Sequence, residues 1–285
     1  TVSELVADAT LVQYMGLLRS SDRGWLDWMT FNNQRVSAWY AWLCGTIHSL
    51  YPADVFSRPC LIKASNSASG LHPETTHGGD SGIDRLANAK SLKLRGCDTR
   101  ITPTSDPHFH TTLPSFPSNV YAIDLLTTTA GYDLMRSLGN FTQPVMETEW
   151  HSISTVGFRK EIINPWHLRG ARMLAHIHGM AANIIWFWGR DEWSTSPKMS
   201  HEFAGADFYA SLSTQPLVFH EYVRGSVEAN SLAPYLIAMA NTAPAINILY
   251  SQESLSMDDT HIDNLYCSYS LLHSLGVPIA FVPTT

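Results

Sequence analysis

Short apolar runs of strand length alternate with helix-like segments along most of this chain, and that alternation restricts its fold more than any single motif does. The runs Cys60-Leu-Ile-Lys-Ala-Ser65, Ser91-Leu-Lys-Leu-Arg-Gly96, Pro144-Val-Met-Glu-Thr-Glu149 and Asn183-Ile-Ile-Trp-Phe-Trp188 are each followed by a loop. Between them, Trp25 to Leu50 carries Trp28, Phe31, Val36, Trp39, Trp42, Leu43 and Ile47 near helical spacing and stops at Tyr51-Pro52. Tyr121 to Leu138, Trp166 to Met180 and Leu217 to Ala240 read as further helices, the first closed by Gly139 and the second opened by Asn164-Pro165. Strands that alternate with helices imply parallel pairing through right-handed crossovers, either in an open doubly wound sheet or in a (β/α) barrel.

The loops favour the barrel. Ser65-Asn66, Cys97-Asp98-Thr99-Arg100, Glu149-Trp150-His151 and Trp188-Gly189-Arg190-Asp191-Glu192 put polar or aromatic groups at the C-terminal end of every predicted strand. That is the end at which a TIM barrel builds its active site. No Gly-x-Gly-x-x-Gly follows a strand, so a dinucleotide-binding sheet loses its main support. Near Ala243 a second pattern starts: Ala245-Ile-Asn-Ile-Leu-Tyr250 as a strand, His261 to Leu275 as a helix ending at Gly276, and Val277-Pro-Ile-Ala-Phe-Val282 as a strand. The expected division is therefore 1–240 as a barrel-type unit and 243–285 as the opening βαβ of a second α/β unit. That opening is too short to cover both of its faces alone.

Composition removes several functions. With 285 residues and 45% hydrophobic content the chain can bury a large core, and a formal charge of −7 leaves no basic surface for nucleic acid or an anionic membrane. No segment has the roughly 18 uninterrupted apolar residues of a membrane span, and the first residues, TVSELVADATLVQYMG, carry no signal-peptide pattern. Cys44, Cys60, Cys97 and Cys267 are scattered without a Cys-x-x-Cys pair, so neither a disulfide framework nor a thiolate metal site is signalled and the compartment stays open. No cofactor is implied.

Glu147 and Glu149 sit two residues apart at the end of a predicted strand. Residues i and i+2 of a strand point the same way, but the last residue of a barrel strand can turn into the central mouth, which favours Glu149. A retaining glycosidase needs a nucleophilic carboxylate and a second carboxyl about 5 Å away as acid/base. Two residues so close on one strand do not flank a glycosidic bond, so the partner of Glu149 has to come from another strand. Glu147 is expected to be structural, bonded to an Arg within the barrel wall.

At this point the chain resembles a known family. Pro-Val-Met-Glu-Thr-Glu149-Trp is similar to the seventh-strand end of clan A glycoside hydrolases, in which a proline precedes the nucleophilic Glu by five residues. Ala171-Arg-Met-Leu-Ala-His-Ile-His-Gly179 with Ala182-Asn-Ile-Ile-Trp-Phe-Trp-Gly-Arg190 resembles the seventh helix and eighth strand of family 42 β-galactosidases. Ile248-Leu-Tyr-Ser-Gln-Glu-Ser254 resembles the first strand of their flavodoxin-like domain, which follows the barrel and takes part in trimer assembly. The resemblance implies a partial (β/α)8 barrel holding strands five to eight, then the start of the flavodoxin-like domain. It implies a β-galactoside substrate, Glu149 as nucleophile, and Trp188 and Arg190 lining the sugar site. It also implies homo-oligomeric assembly and favours a cytoplasmic location. Asn66 and Asp98, with Arg100, Trp150 and His151, follow by placement at strand ends rather than by motif. The departure is the acid/base: in the family it follows an Asn, and no Asn-Glu pair occurs here. Glu4 is the only Glu before the predicted fifth strand, so the sequence reads as the back half of a barrel with its acid/base beyond Thr1.

Plainer readings stand beside these. Asp98 is equally suited to capping its loop. Trp186 and Trp188 alternate with Phe187, so one face packs against helices and Trp188 is the candidate inward platform. Asn140-Phe-Thr142 fits a glycosylation sequon, a pattern common by chance, and His77-Gly-Gly-Asp-Ser-Gly82 lacks the Lys and preceding strand of a phosphate cradle. His108-Phe-His110 and His176-Ile-His178 have the spacing used by zinc hydrolases on barrels, which makes a metal-dependent hydrolase the rival enzyme. The second pair falls in a predicted helix, where i and i+2 diverge, and nothing fixes a third ligand for the first. The non-catalytic rival is a half barrel that binds carbohydrate.

Overall fold

The computed structural model describes residues 23–50, 84–91, 95–97, 102–103, 123–124, 126–150, 154–155, 161–162, 165–185, 188, 212–257 and 260–284. Their elements, in chain order, are α1 (Arg23–Leu50), α2 (Arg85–Ser91), β1 (Arg95–Cys97), β2 (Thr102–Pro103), β3 (Ile123–Asp124), α3 (Leu126–Leu138), β4 (Val145–Trp150), β5 (Ser154–Thr155), β6 (Glu161–Ile162), α4 (Pro165–Ile177), β7 (Met180–Ile185), a 3₁₀ turn (Leu212–Thr214), α5 (Pro216–Ser231), α6 (Ala233–Ala240), β8 (Ile246–Tyr250), α7 (Gln252–Met257), α8 (Thr260–His273) and β9 (Ile279–Pro283).

Three strands form a parallel sheet in the order β1-β4-β7, with Cys97 and Asn183 flanking Glu147 on either side. A helix crosses over between each neighbouring pair, α3 from β1 to β4 and α4 from β4 to β7, as parallel pairing requires. The strand predicted over Cys60–Ser65 lies outside the described residues. β8 and β9 form a separate parallel pair with α8 between them.

Several predicted boundaries move, each for a local reason. Ser91 closes α2, and the strand after it is Arg95–Cys97. The helix predicted from Tyr121 begins at Leu126, after the two-residue strand β3. The eighth-strand run starts earlier and ends at Ile185, because Gly179, at φ 101°, turns the chain out of α4 and launches β7 at once. Trp188 is therefore beyond the strand. The single helix read over Leu217–Ala240 is two, joined at Leu232, since Pro234 in the first turn of α6 has no N–H to continue α5.

The core is organised around α3, whose residues 128–138 are all buried. Tyr132 and Met135 join Cys97, Val145 and Trp150 in one apolar cluster, between the helices and the β1-β4-β7 sheet. Ala130, Leu134 and Leu138 join Ile248, Tyr250 and Phe281 in a second, under β8 and β9. A helix buried all round belongs between two layers; its buried polar groups, among them Asp133 and Ser137, are hydrogen-bonded, and each large apolar side chain it buries contributes about 1.5–3 kcal/mol. The chain leaves α3 through Asn140 and Phe141, both at positive φ. Gly139 is required by space rather than by φ: a Cβ there would meet Arg95 Nη1 at 2.5 Å. Among the described residues no helix is long and apolar enough to cross a membrane.

Candidate active site

The C-terminal ends of β1, β4 and β7 lie side by side, as parallel pairing dictates. β4 is the central strand and Glu149 its penultimate residue. The structure describes the backbone of Glu149 but not its side chain. Thr148 Oγ1 donates to the Cys97 carbonyl at 2.9 Å and ties the ends of β4 and β1 together. Asn66, Asp98, Arg100, His151 and Arg190 lie outside the described residues, as do His108 and His110. Trp188 is described, three residues beyond β7. It is 57% exposed, its ring meets Phe219 edge to face at 5.6 Å, and its carbonyl accepts from the Ser213 N–H at 3.1 Å. An exposed indole at this place can serve as a stacking surface for an apolar sugar face. Trp150 is placed differently: at 1% exposure it belongs to the core cluster behind the strand end, with no ring face open to a ligand.

Glu147 is completely buried, and the Tyr132 hydroxyl donates to its Oε2 at 2.7 Å. It is thus a wall residue as expected, with a tyrosine in the place foreseen for an Arg. In register with Glu147 on β7 stands Asn183, whose Oδ1 accepts from Arg172 Nη2 at 3.4 Å and whose Nδ2 donates to the Tyr222 hydroxyl at 3.2 Å. Arg172 also donates from Nη1 to the Tyr222 carbonyl at 2.7 Å and to Ser226 Oγ at 2.9 Å, with its guanidinium 4.0 Å from the Tyr222 ring centre. Burial pushes its pKa down.

Sequence reasoning missed Tyr132, Arg172, Asn183 and Tyr222. The one available signal was that a buried Glu147 needs a donor. The partners lie 15 residues away for Glu147–Tyr132 and 39 for Asn183–Tyr222, distances that no periodicity encodes.

The two helical histidines have structural partners. His176 Nδ1 donates to the Met180 carbonyl at 2.7 Å, which assigns the proton to Nδ1, and His178 Nδ1 lies 3.0 Å from Asp133 Oδ1. Among the described residues no group of three or more His, Cys, Asp or Glu side chains is arranged to hold a metal ion.

No family model matches the sequence and no curated protein matches it. Solved structures do. The apo exo-carrageenase GH42 from Bacteroides ovatus aligns with a TM-score of 0.69 at 23% identity, covering 93% of this chain and 33% of that one. Gan42B, a GH42 β-galactosidase from G. stearothermophilus, aligns with a TM-score of 0.63 at 18% identity, covering 90% and 35%. The cold-adapted β-galactosidase from Rahnella sp. R3 aligns with a TM-score of 0.56 at 16% identity, covering 90% and 34%. The chain has the fold of part of a family 42 glycoside hydrolase. It spans about a third of the length of the structures it matches. The likeness is one of fold, at 16–23% identity, and in these three alignments it covers 90–93% of this chain.

Proposed function

We propose that these residues are part of a retaining glycoside hydrolase of the family 42 type that cleaves terminal β-galactosides, with Glu149 as nucleophile. One observation supports this most: Glu149 stands at the C-terminal end of the central strand of three parallel strands, in a chain whose fold matches a GH42 structure over 93% of its length. In this reading β1, β4 and β7 are strands six to eight of a (β/α)8 barrel and Cys60–Ser65 is strand five. Residues 1–240 belong to the barrel and 243–285 open a flavodoxin-like domain, and the full-length protein assembles as a trimer. Trp188 is the sugar platform, Asn66, Asp98, Arg100, His151 and Arg190 reach the cleft from loops, and Trp150 supports the strand end from behind.

The chemistry is double displacement. Glu149 attacks the anomeric carbon, the glycosidic C–O bond breaks as a proton reaches the leaving oxygen, and water then hydrolyses the glycosyl ester with inversion at a second step. These 285 residues contain no Asn-Glu pair, so in this reading the acid/base carboxyl is supplied from outside them. The decisive substrate is one whose leaving group needs no proton. Incubation with 2,4-dinitrophenyl 2-deoxy-2-fluoro-β-galactoside should add one fluoroglycosyl group to the peptide containing Glu149, and Glu149→Gln should abolish it. Labelling elsewhere, or equal labelling of the variant, rejects the assignment. A second reading, an exo-acting carrageenase, is favoured by the higher TM-score and identity to the Bacteroides ovatus structure. Comparing carrageenan oligosaccharides with β-galactosides in the protein that carries this chain separates the two.

A further inference from the structure

Tyr132 and Asp133 are neighbours on α3, about 100° apart around the helix axis, and they bond to different layers. Tyr132 reaches the sheet, where its hydroxyl holds Glu147 Oε2 at 2.7 Å, two residues before Glu149 on the same strand. Asp133 faces the other way and is 2% exposed. Its Oδ2 accepts from the Tyr269 hydroxyl of α8 at 2.7 Å, and its Oδ1 lies 3.0 Å from His178 Nδ1 and 3.2 Å from Arg136 Nη2. One turn on, Ser137 Oγ accepts the Phe281 N–H of β9 at 2.9 Å. Arg95 of β1 donates to the Met135 carbonyl at 2.9 Å. A single buried helix is therefore bonded to β1, to β4, to the turn that launches β7, and to both α8 and β9 of the C-terminal βαβ.

A buried carboxyl group with both oxygens hydrogen-bonded resists displacement of its helix, because moving it leaves a desolvated oxygen short of a donor. The Asp133 bonds restrain α3 from the C-terminal side, and the Tyr132 bond carries the restraint to β4. We infer that Tyr132 is a positioning residue for Glu149, and that α3 passes the support of the C-terminal βαβ, gripped through Asp133 and Tyr269, to the end of β4. The choice of Glu149 as the group being positioned rests on the glycosidase reading above; the mechanical coupling does not.

Native-state amide exchange read by mass spectrometry tests the coupling without reference to activity. Tyr132→Phe should speed exchange of the Val145–Trp150 peptide about fivefold and leave the β8 and β9 peptides unchanged. Tyr269→Phe should speed exchange in α8 and also, by a similar factor, in Val145–Trp150. Ile279→Val is the control: it loosens the same C-terminal core but keeps the Asp133–Tyr269 bond, and should leave β4 unchanged. If Tyr269→Phe acts on α8, β8 and β9 alone, or if Ile279→Val disturbs β4 equally, the coupling is overturned. In the fluoroglycoside assay, Tyr132→Phe should lower the labelling rate constant severalfold at unchanged inhibitor affinity; loss of affinity instead overturns the positioning role. Coupling seen by exchange in a chain whose Glu149 is never labelled would reject the glycosidase reading and leave the joint standing.

Discussion

The Tyr132 hydroxyl donates to Glu147 Oε2 at 2.7 Å inside a wall from which water is excluded on both sides of the bond, since both side chains are 0% exposed. Removing the hydroxyl with Tyr132→Phe keeps the ring in the core and leaves a buried carboxyl oxygen short of its donor. Losing one donor to a buried carboxyl group destabilises by about 1–3 kcal/mol. Urea denaturation should show the midpoint falling with an unchanged slope, since the surface exposed on unfolding is the same.

Arg172 has a different environment, a guanidinium 4.0 Å over the Tyr222 ring centre with its Nη1 shared between the Tyr222 carbonyl and Ser226 Oγ. Lysine keeps the charge but has neither the plane nor the fork. Arg172→Lys is therefore expected to lose about 1–3 kcal/mol, and Tyr222→Phe, which removes only the hydroxyl facing Asn183, about 1 kcal/mol. A loss from Arg172→Lys no larger than that from Tyr222→Phe would show that the guanidinium fork adds no more than one neutral hydrogen bond.

Gly179 turns the chain from α4 into β7 at φ 101°, and a Cβ there would lie 3.0 Å from Arg136 Cδ. Left-handed backbone at a residue with a side chain costs about 1–2 kcal/mol before any clash. Gly179→Ala should lower thermal stability accordingly, whereas Gly170→Ala, in open space on α4, should leave it unchanged or raise it slightly.

How much of this was legible beforehand follows from how each feature is encoded. The parallel βαβ order was readable because apolar runs and helical periodicity are local, and β8, α8 and β9 fall close to the predicted segments. Boundaries slipped where one residue overrode the pattern, as Gly179 does before β7 and Pro234 does between α5 and α6. Glu149 could be singled out as a candidate because its motif is contiguous. The wall that holds its strand could not be, because Tyr132, Arg172 and Tyr222 come together only after three separate helices pack, and a tyrosine in a helix looks the same in sequence whether or not its hydroxyl has a partner. The two-sided burial of α3 was equally hidden: its second layer comes from residues more than a hundred positions on, as the Asp133–Tyr269 bond shows.

Acid should weaken the fold before it titrates the carboxylates. His273 is held below its usual pKa first by burial and then by the neighbouring His178, with Asp133 acting in the opposite sense. His176 is held down first by burial, with Arg172 adding to that and the Met180 carbonyl opposing it. Both stay neutral in the folded state at pH values where the unfolded chain has already bound protons. Above the unfolded value of about 6.5 neither group makes stability depend on pH; below it, stability falls with pH until the folded groups also protonate. Urea midpoints at pH 7.5, 6.5 and 5.5 should fall across the lower interval, and the double variant His176→Gln, His273→Gln should flatten that fall. An unchanged slope in the double variant would assign the acid sensitivity to other groups.

The last expectation separates the two carboxylates that the sequence places side by side. Glu147 is buried and bonded within the wall, so Glu147→Gln, which retains an acceptor for Tyr132, should lower stability by about 1 kcal/mol and slow labelling by the activated fluoroglycoside severalfold through the loosened strand. Glu149→Gln should do the reverse, leaving the unfolding free energy within about 0.5 kcal/mol of the parent and removing labelling altogether, because a carboxamide cannot form the glycosyl ester. An ordinary aryl β-galactoside, whose leaving group needs a proton, should not be turned over by the 285-residue chain in either form. Turnover by the parent chain would place an acid/base carboxyl among these residues, and exchanged behaviour of the two variants would move the nucleophile from Glu149 to Glu147.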